Sequence, residues 1–227
     1  MYNNKVLYGE KVITIKNKIN KLYKFKKGYL IMIITNDVMK DKLKHYSNKN
    51  NKISRDVKNN EITRIIKGLY ETEDDIEGYL IASTIYGPSY LSFNYALICH
   101  ELIDGEIDRY TCATYGKKKK KRYDTPFGYF EYRDVPNEVF YMGVDVIKKG
   151  KYSFQMACPE KALCDILYTK SPVGNMEELR ELLVNEIGIN MDKLVNLDIN
   201  AILELSEAYH STNVTMLYKY LRRNVND

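Results

Sequence analysis

Between residues 49 and 67 the chain carries side chains suited to reading a nucleic acid: Lys49, Asn51, Lys52, Ser54, Arg55, Lys58 and Asn59, followed by Arg64 and Lys67. Arg and Lys donate to guanine edges, Asn pairs bidentately with adenine, and Ser or Lys holds phosphate oxygens. On a helix from about Asn51 to Asn59, Ile53 and Val57 lie four apart and point inward. That spacing puts Lys52, Arg55 and Asn59 at i, i+3 and i+7 on one outer face, as a helix lying in the major groove requires. Arg64 and Lys67 stand in the β-branched run Ile62–Tyr70 ahead of Gly68. They predict a two-stranded wing whose cations reach phosphate or the minor groove. The competing reading of the same stretch is a lysine-rich, solvated helical hairpin with no ligand.

Three other groups of residues invite chemistry. Lys117, Lys118, Lys119, Lys120, Lys121 and Arg122 form one cationic run. It reads either as a solvated, mobile hairpin tip or as a second contact to DNA phosphates, RNA or a protein partner. Glu160, Lys161 and Asp165 have the residue types of a metal-dependent nuclease. Glu160 and Lys161 are adjacent, however, where that chemistry needs one residue between them on a strand; Pro159-Glu160 instead suits the first turn of a helix. Cys99, Cys112, Cys158 and Cys164 lack C-x-x-C spacing and read as buried thiols. His45, His100 and His210 have no spaced nucleophile, and Asp104 with Glu106 reads as a solvated turn. No Gly-Ser dipeptide, P-loop, G-x-G-x-x-G or H-E-x-x-H occurs. The expectation is a protein without catalytic residues, metal or cofactor.

The elements that must hold these residues follow from charge and periodicity. Residues 1–70 hold 17 Lys+Arg and 5 Asp+Glu, a net +12; residues 71–227 hold 18 and 25, a net −7. The sign changes at Glu71-Thr-Glu-Asp-Asp, which predicts a DNA-binding domain over 1–75 and a second domain over 76–227. In the first, Val12 to Phe25 has a helical apolar stripe, Tyr29 to Ile34 a short apolar run, and Thr35 can cap a helix to about His45 with Val38, Met39 and Leu43 inside. Tyr46 to Asn50 reads as a polar turn. In the second, Ser89 to Ile103 reads as helix, Tyr110 to Tyr115, Gly128 to Tyr132, Val139 to Met142 and Tyr152 to Met156 as strands, and Pro159 to Tyr168 as a helix followed by three more to Arg223. No strongly apolar run reaches ~18 residues, the closest being Gly78 to His100 with Gly87-Pro88 in its middle, so no membrane span is expected. The amino terminus lacks an export signal, and a cytoplasmic location is expected.

Gly-Leu-Tyr at 68–70, Pro-Ser-Tyr-Leu-Ser-Phe at 88–93 with Ala96-Leu97, Thr-Pro-Phe-Gly at 125–128 and Cys-Pro-Glu-Lys-Ala-Leu-Cys-Asp at 158–165 occur in this order. Together they resemble the AbiEi-type antitoxins of bacterial type IV toxin–antitoxin systems, which act in abortive infection and phage defence. The resemblance spans roughly residues 30–225. It implies an α+β protein: an N-terminal winged helix-turn-helix domain, then a mixed α/β domain with antiparallel strands and a helical C-terminus. It also implies a repressor that binds inverted repeats in its own promoter, with a homodimer on DNA as one arrangement. The implied partner is a nucleotidyltransferase toxin encoded alongside, countered functionally, with direct contact left open. The DNA-reading positions come from helical spacing and not from the resemblance. The alternative is a stand-alone winged-helix regulator whose acidic domain senses a ligand or dimerises.

Overall fold

A computed structural model of the chain describes residues 33–73, 76–150 and 152–224, the side chain of residue 224 excepted. It is a mixed α+β protein that divides into two compact units, one through Ile76 and one from Glu77. The expected helix from Val12 to Phe25 and most of the run from Tyr29 lie outside the described residues.

The first unit runs β1 (Ile34–Thr35), α1 (Asn36–Lys42), α2 (Lys49–Lys58), β2 (Thr63–Ile66) and β3 (Leu69–Glu71). Thr35 is extended and its Oγ1 accepts from the Val38 N–H, so α1 starts at its side-chain cap. Asn48 does the same for α2, its Oδ1 accepting from the Asn51 N–H at 3.0 Å, which starts this helix two residues earlier than spacing alone suggests. Strand β3 lies between β1 and β2, antiparallel to both. Lys67 and Gly68 close the β2–β3 hairpin, and Gly68 has φ +86°, a conformation that a side chain would strain. The Gly68 carbonyl accepts from the Asn36 N–H at 2.8 Å and ties this turn to the start of α1. Ile34, Met39, Leu43, Ile53, Ile62 and Tyr70 form the core, with Val57 against it. Val38, expected inside, is 49% exposed. Met39 and Leu43, four apart, take the inner stripe, and Val38 lies ~100° around the helix from Met39.

The second unit is built on a six-stranded sheet of β4 (Tyr90–Leu91), β5 (Tyr110–Thr114), β6 (Lys121–Thr125), β7 (Gly128–Asp134), β8 (Val144–Lys149) and β9 (Tyr152–Ala157). Their order is β6-β7-β5-β4-β9-β8; β5/β7 and β4/β9 are parallel and the other pairs antiparallel. The α-helices are α3 (Ala82–Ile85), α4 (Phe93–Cys99), α5 (Pro159–Tyr168), α6 (Met176–Glu181), α7 (Met191–Leu194), α8 (Ile199–Tyr209) and α9 (Thr212–Asn224), so among the described residues four follow α5 where three were expected, and a π-helical segment, Leu182–Ile187, continues α6. Helix α5 packs against α4, α8 and α9, and its residues from Glu160 to Leu167 are all buried. Among the described residues no helix is long and apolar enough to cross a membrane.

Two expectations differ here, and two strands appear that were not expected. The helix expected over Ser89 to Ile103 is strand β4 followed by the shorter α4, because Tyr90 and Leu91 pair with Ala113 and Cys112 of β5. The strand expected over Val139 to Met142 is a 3-10 turn at Asn137–Val139, whose neighbours Val139 and Phe140 are buried as a plug rather than as a ladder. Strands β6 and β8 are rich in Lys, Asp and Arg, and their two-residue alternation is hidden by those charges.

Candidate nucleic-acid interface

Helix α2 buries Ile53 and Asp56, half-buries Lys49, Lys52 and Val57, and exposes Asn50, Asn51, Ser54, Arg55 and Lys58, with Asn59 exposed at its C-cap. The exposed stripe is therefore centred on Asn51, Ser54 and Lys58, with Arg55 and Asn59 along one side. It is turned away from the expected Lys52–Arg55–Asn59 face by roughly one residue's rotation, ~100°. Lys52 corrects that expectation. Its ammonium donates to the Asp56 carboxylate, which is 3% exposed, lies 3.9 Å from Glu61 Oε2, and sits 5.7 Å from the centre of the Tyr46 ring. Burial works against the Lys52 charge, but the hydrogen bond and charge of Asp56, with Glu61, hold its pKa above the ordinary value. Lys52 is thus committed to neutralising a buried acid. A signal for this was present in the sequence: Asp56 is an acid inside a basic helix, four residues after a lysine.

The hairpin following α2 exposes Arg64 and Lys67. The Arg64 guanidinium lies 5.7 Å from the Tyr70 ring centre, which steers the side chain from the middle of β2. Lys67 stands beside Gly68 at the hairpin tip. The acid that marks the change of sign, Glu71, is fully buried, and its Oε1 accepts from the Thr72 and Glu73 N–H groups at 2.7 and 3.0 Å, so it shapes the chain where β3 ends.

In the second unit, the cationic run is a built turn that leads into β6, to which Lys121 and Arg122 already belong. The Lys117 ammonium donates to the Gly87 carbonyl at 3.1 Å and lies 5.2 Å from the Tyr86 ring centre. The Lys118 backbone N–H donates to Asp134 Oδ2 at 2.6 Å. Lys118 to Arg122 are exposed. Arg122 Nε approaches the buried Glu131 carboxylate at 3.6 Å.

The residues from two of the family-like motifs meet inside this unit. Asp165 accepts from Ser92 Oγ at 2.6 Å, from the Tyr90 hydroxyl at 3.0 Å and from the Tyr209 hydroxyl. Lys161 lies 3.1 Å from Asp165 Oδ1 and donates to the Tyr209 hydroxyl. Both charged side chains are fully buried, and Tyr90, Ser92 and Tyr209 are at most 2% exposed. Burial lowers the Lys161 pKa, a shift that the Asp165 charge opposes. Burial first and the Asp165 charge second push the Tyr90 and Tyr209 hydroxyls well up. Glu160 turns elsewhere, its Oε1 accepting from the Asp198 N–H at 2.9 Å at the start of α8. The nuclease-like trio thus divides into a sealed ion pair and a helix cap. A sealed, hydrogen-bonded pair specifies packing and keeps both charged groups away from solvent.

The remaining candidates are individually placed. Cys112 and Cys164 are buried, as expected of all four, whereas Cys158 is half-buried and Cys99 is exposed. Burial raises every one of these thiols, Cys158 up to about 12, which leaves little thiolate at neutral pH. His100 Nε2 lies 2.8 Å from the Ala157 carbonyl and joins α4 to β9. Among the described residues no group of His, Cys, Asp and Glu could hold a metal ion. A cleft of about 450 Å³ opens beside Phe93, Arg109, Glu131 and Arg133. Glu131, buried at its wall, is held by Arg133 at 2.6 Å. Residue spacing does not reveal this cleft, because its lining joins α4, the segment Ile103–Arg109 that follows it, β5 and β7, which only the fold brings together. No family model matches the chain, and no curated protein matches it.

Proposed function

We propose that the chain is a promoter-binding antitoxin of the AbiEi type: a winged helix-turn-helix in the first unit represses its own operon, and the second unit counters a nucleotidyltransferase toxin. The observation that carries the DNA-binding part is the arrangement β1-α1-α2-β2-β3 with sheet order β1-β3-β2. In it a short turn separates α1 from a helix whose exposed face is Asn51, Ser54, Arg55 and Lys58, and a hairpin bearing Arg64 and Lys67 follows directly. A helix of that composition enters a major groove, while the hairpin cations and Lys49 hold phosphates. Base reading falls to Arg55, Asn51 and Asn59; Lys52 orders the helix from within.

The toxin-countering part rests on the sequence resemblance. It is supported by the meeting of Pro88–Phe93 with Cys158–Asp165 in one buried network, which gives the shared residues a common role in specifying the fold of the second unit. The stand-alone regulator reading draws on the cleft beside Arg109 and Arg133, where a sensed ligand would sit.

Titration of the full chain onto a labelled duplex of its own promoter and onto a shuffled duplex, at fixed salt, tests the proposal. Specific binding is expected to be at least ~10³-fold tighter on the promoter. Equal affinity for the two duplexes would remove the repressor role.

A further inference from the structure

The turn entering β6 concentrates cations without counter-charge. Elsewhere in the unit Lys149, Lys170 and Lys193 each meet a carboxylate, at 2.6, 3.2 and 2.5 Å. The ammoniums of Lys118, Lys119, Lys120 and Lys121 meet none among the described residues, Lys118 reaching Asp134 only through its backbone N–H. Residues 71–227 carry −7 overall, and without Lys117 to Arg122 the same stretch would carry −13. Four adjacent ammoniums without counter-charge repel one another, so the fold must hold them together at a cost. It does so at both ends: at the start Lys117 is fixed on Gly87 and Tyr86 and the Lys118 backbone, in the left-handed region at φ +57°, on Asp134, and at the end Lys121 pairs with Tyr132 of β7. Beyond the turn, β6 is the outermost strand of the sheet and pairs only with β7 among the described residues. Next to the lysines lies a cluster of aromatic rings: Tyr123 of β6 has its ring centre 6.1 Å from Tyr86 and 5.9 Å from Tyr132. Tyr86 and Tyr123 are both partly exposed.

We propose that this turn and edge strand form a binding surface for single-stranded nucleic acid, with Lys118 to Lys121 on successive phosphates and the Tyr123 and Tyr86 rings against bases. Unneutralised cations beside partly exposed aromatic rings are the combination that single strands use, since their bases are free to stack and a duplex hides them. On a stretch that is otherwise net acidic, this strip is a concentrated patch of positive charge that draws a polyanion to it. RNA and DNA single strands share this chemistry, and the surface acts independently of the promoter-reading helix α2.

The test uses the full chain and fluorescence anisotropy with labelled oligo-U, oligo-dT and a duplex of equal length, from low to physiological salt. The variants are Lys118→Gln/Lys119→Gln/Lys120→Gln/Lys121→Gln, Tyr123→Leu, and Arg55→Ala as a control in the first unit. For the four-lysine variant the salt slope on single strands is expected to fall by about 3, at ~0.7 per phosphate contact. Tyr123→Leu should weaken single-strand binding about fivefold or more with the slope unchanged. Arg55→Ala should leave the four-lysine effect intact. Tighter binding of oligo-U than of oligo-dT identifies RNA as the source; equal binding identifies backbone and stacking contacts common to both. The lysines of an edge strand also guard against edge-to-edge aggregation. An unchanged slope and affinity in the four-lysine variant, with circular dichroism unchanged, would reduce them to that role and overturn the proposal. A loss on the duplex equal to that on single strands would overturn the single-strand assignment. Neither result bears on promoter binding by α2.

Discussion

Asp165→Ala should be the most damaging single substitution in the second unit. Among the described residues Asp165 is the acid that pairs with the fully buried Lys161, at 3.1 Å, and it also accepts from Ser92, Tyr90 and Tyr209. Removing it strands an ammonium and leaves three buried hydroxyls to find new partners. Breaking a buried pair by deleting one member costs about 3–5 kcal/mol, a large share of a typical folding free energy of ~5–15 kcal/mol. Urea melts should show the loss as a lower midpoint with the slope unchanged. Combining Asp165→Ala with Lys161→Met removes the stranded charge, so the double variant should be less destabilised than the sum of the singles by about 1–3 kcal/mol. The pH dependence has a definite sign. Burial holds the folded Lys161 below its ordinary 10.5, so between that lowered value and 10.5 the unfolded chain binds more protons. Stability relative to the Lys161→Met variant should therefore rise with pH through that window. Above about 10, Tyr90 and Tyr209 stay protonated in the fold while the unfolded chain ionises, so absolute stability should then fall. A cost under ~1 kcal/mol for Asp165→Ala, or simple additivity with Lys161→Met, would refute the reasoning.

Arg55→Ala is expected to weaken promoter binding by ~1–3 kcal/mol and relax specificity, whereas Lys67→Ala should weaken all duplexes alike; parallel anisotropy titrations on promoter and shuffled DNA separate the two. Lys52→Ala should instead cost folding stability, about 1–3 kcal/mol, by leaving the Asp56 carboxylate buried without its partner, and a urea midpoint unchanged from the parent would contradict that. Gly143 has φ +61°, and a Cβ there would lie 2.9 Å from Cys158 Sγ and 3.0 Å from Lys161 Cβ, so Gly143→Ala should destabilise by about 2–4 kcal/mol in the same assay. Thiol titration of the native chain with a disulfide reagent should release about one fast equivalent, from Cys99; four fast equivalents would contradict the burial of Cys112 and Cys164.

Much of the first unit was legible in the sequence because its signals are local. Thr35 caps α1 as its type suggests, Ile53 sits four residues before Val57 on the inner side of α2, and a β-branched run ending at Gly68 forms the hairpin. What spacing misjudged was the rotation of α2, since Lys52 was counted as a surface cation without weighing Asp56 four residues on. In the second unit, α5 was readable from Pro159 and its apolar residues. Strand β4 was not: two residues became a strand only because β5 and β9, from distant parts of the chain, lie on either side of them. The same reason hid the Lys161–Asp165 network, whose hydroxyl partners come from β4, the residue after it and α8. Lys161 and Asp165, four apart, already suggested a pair, but nothing local says that the pair is sealed from water.

Co-expression of the intact chain with its neighbouring gene, both driven from unrelated promoters and scored by growth, tests the proposed antitoxin role. The neighbour alone should arrest growth, the intact chain should restore it, and Arg55→Ala should restore it equally, as the proposed assignment of neutralisation to the second unit and repression to the first requires. A toxic neighbour that the intact chain, expressed and folded, does not relieve would contradict it.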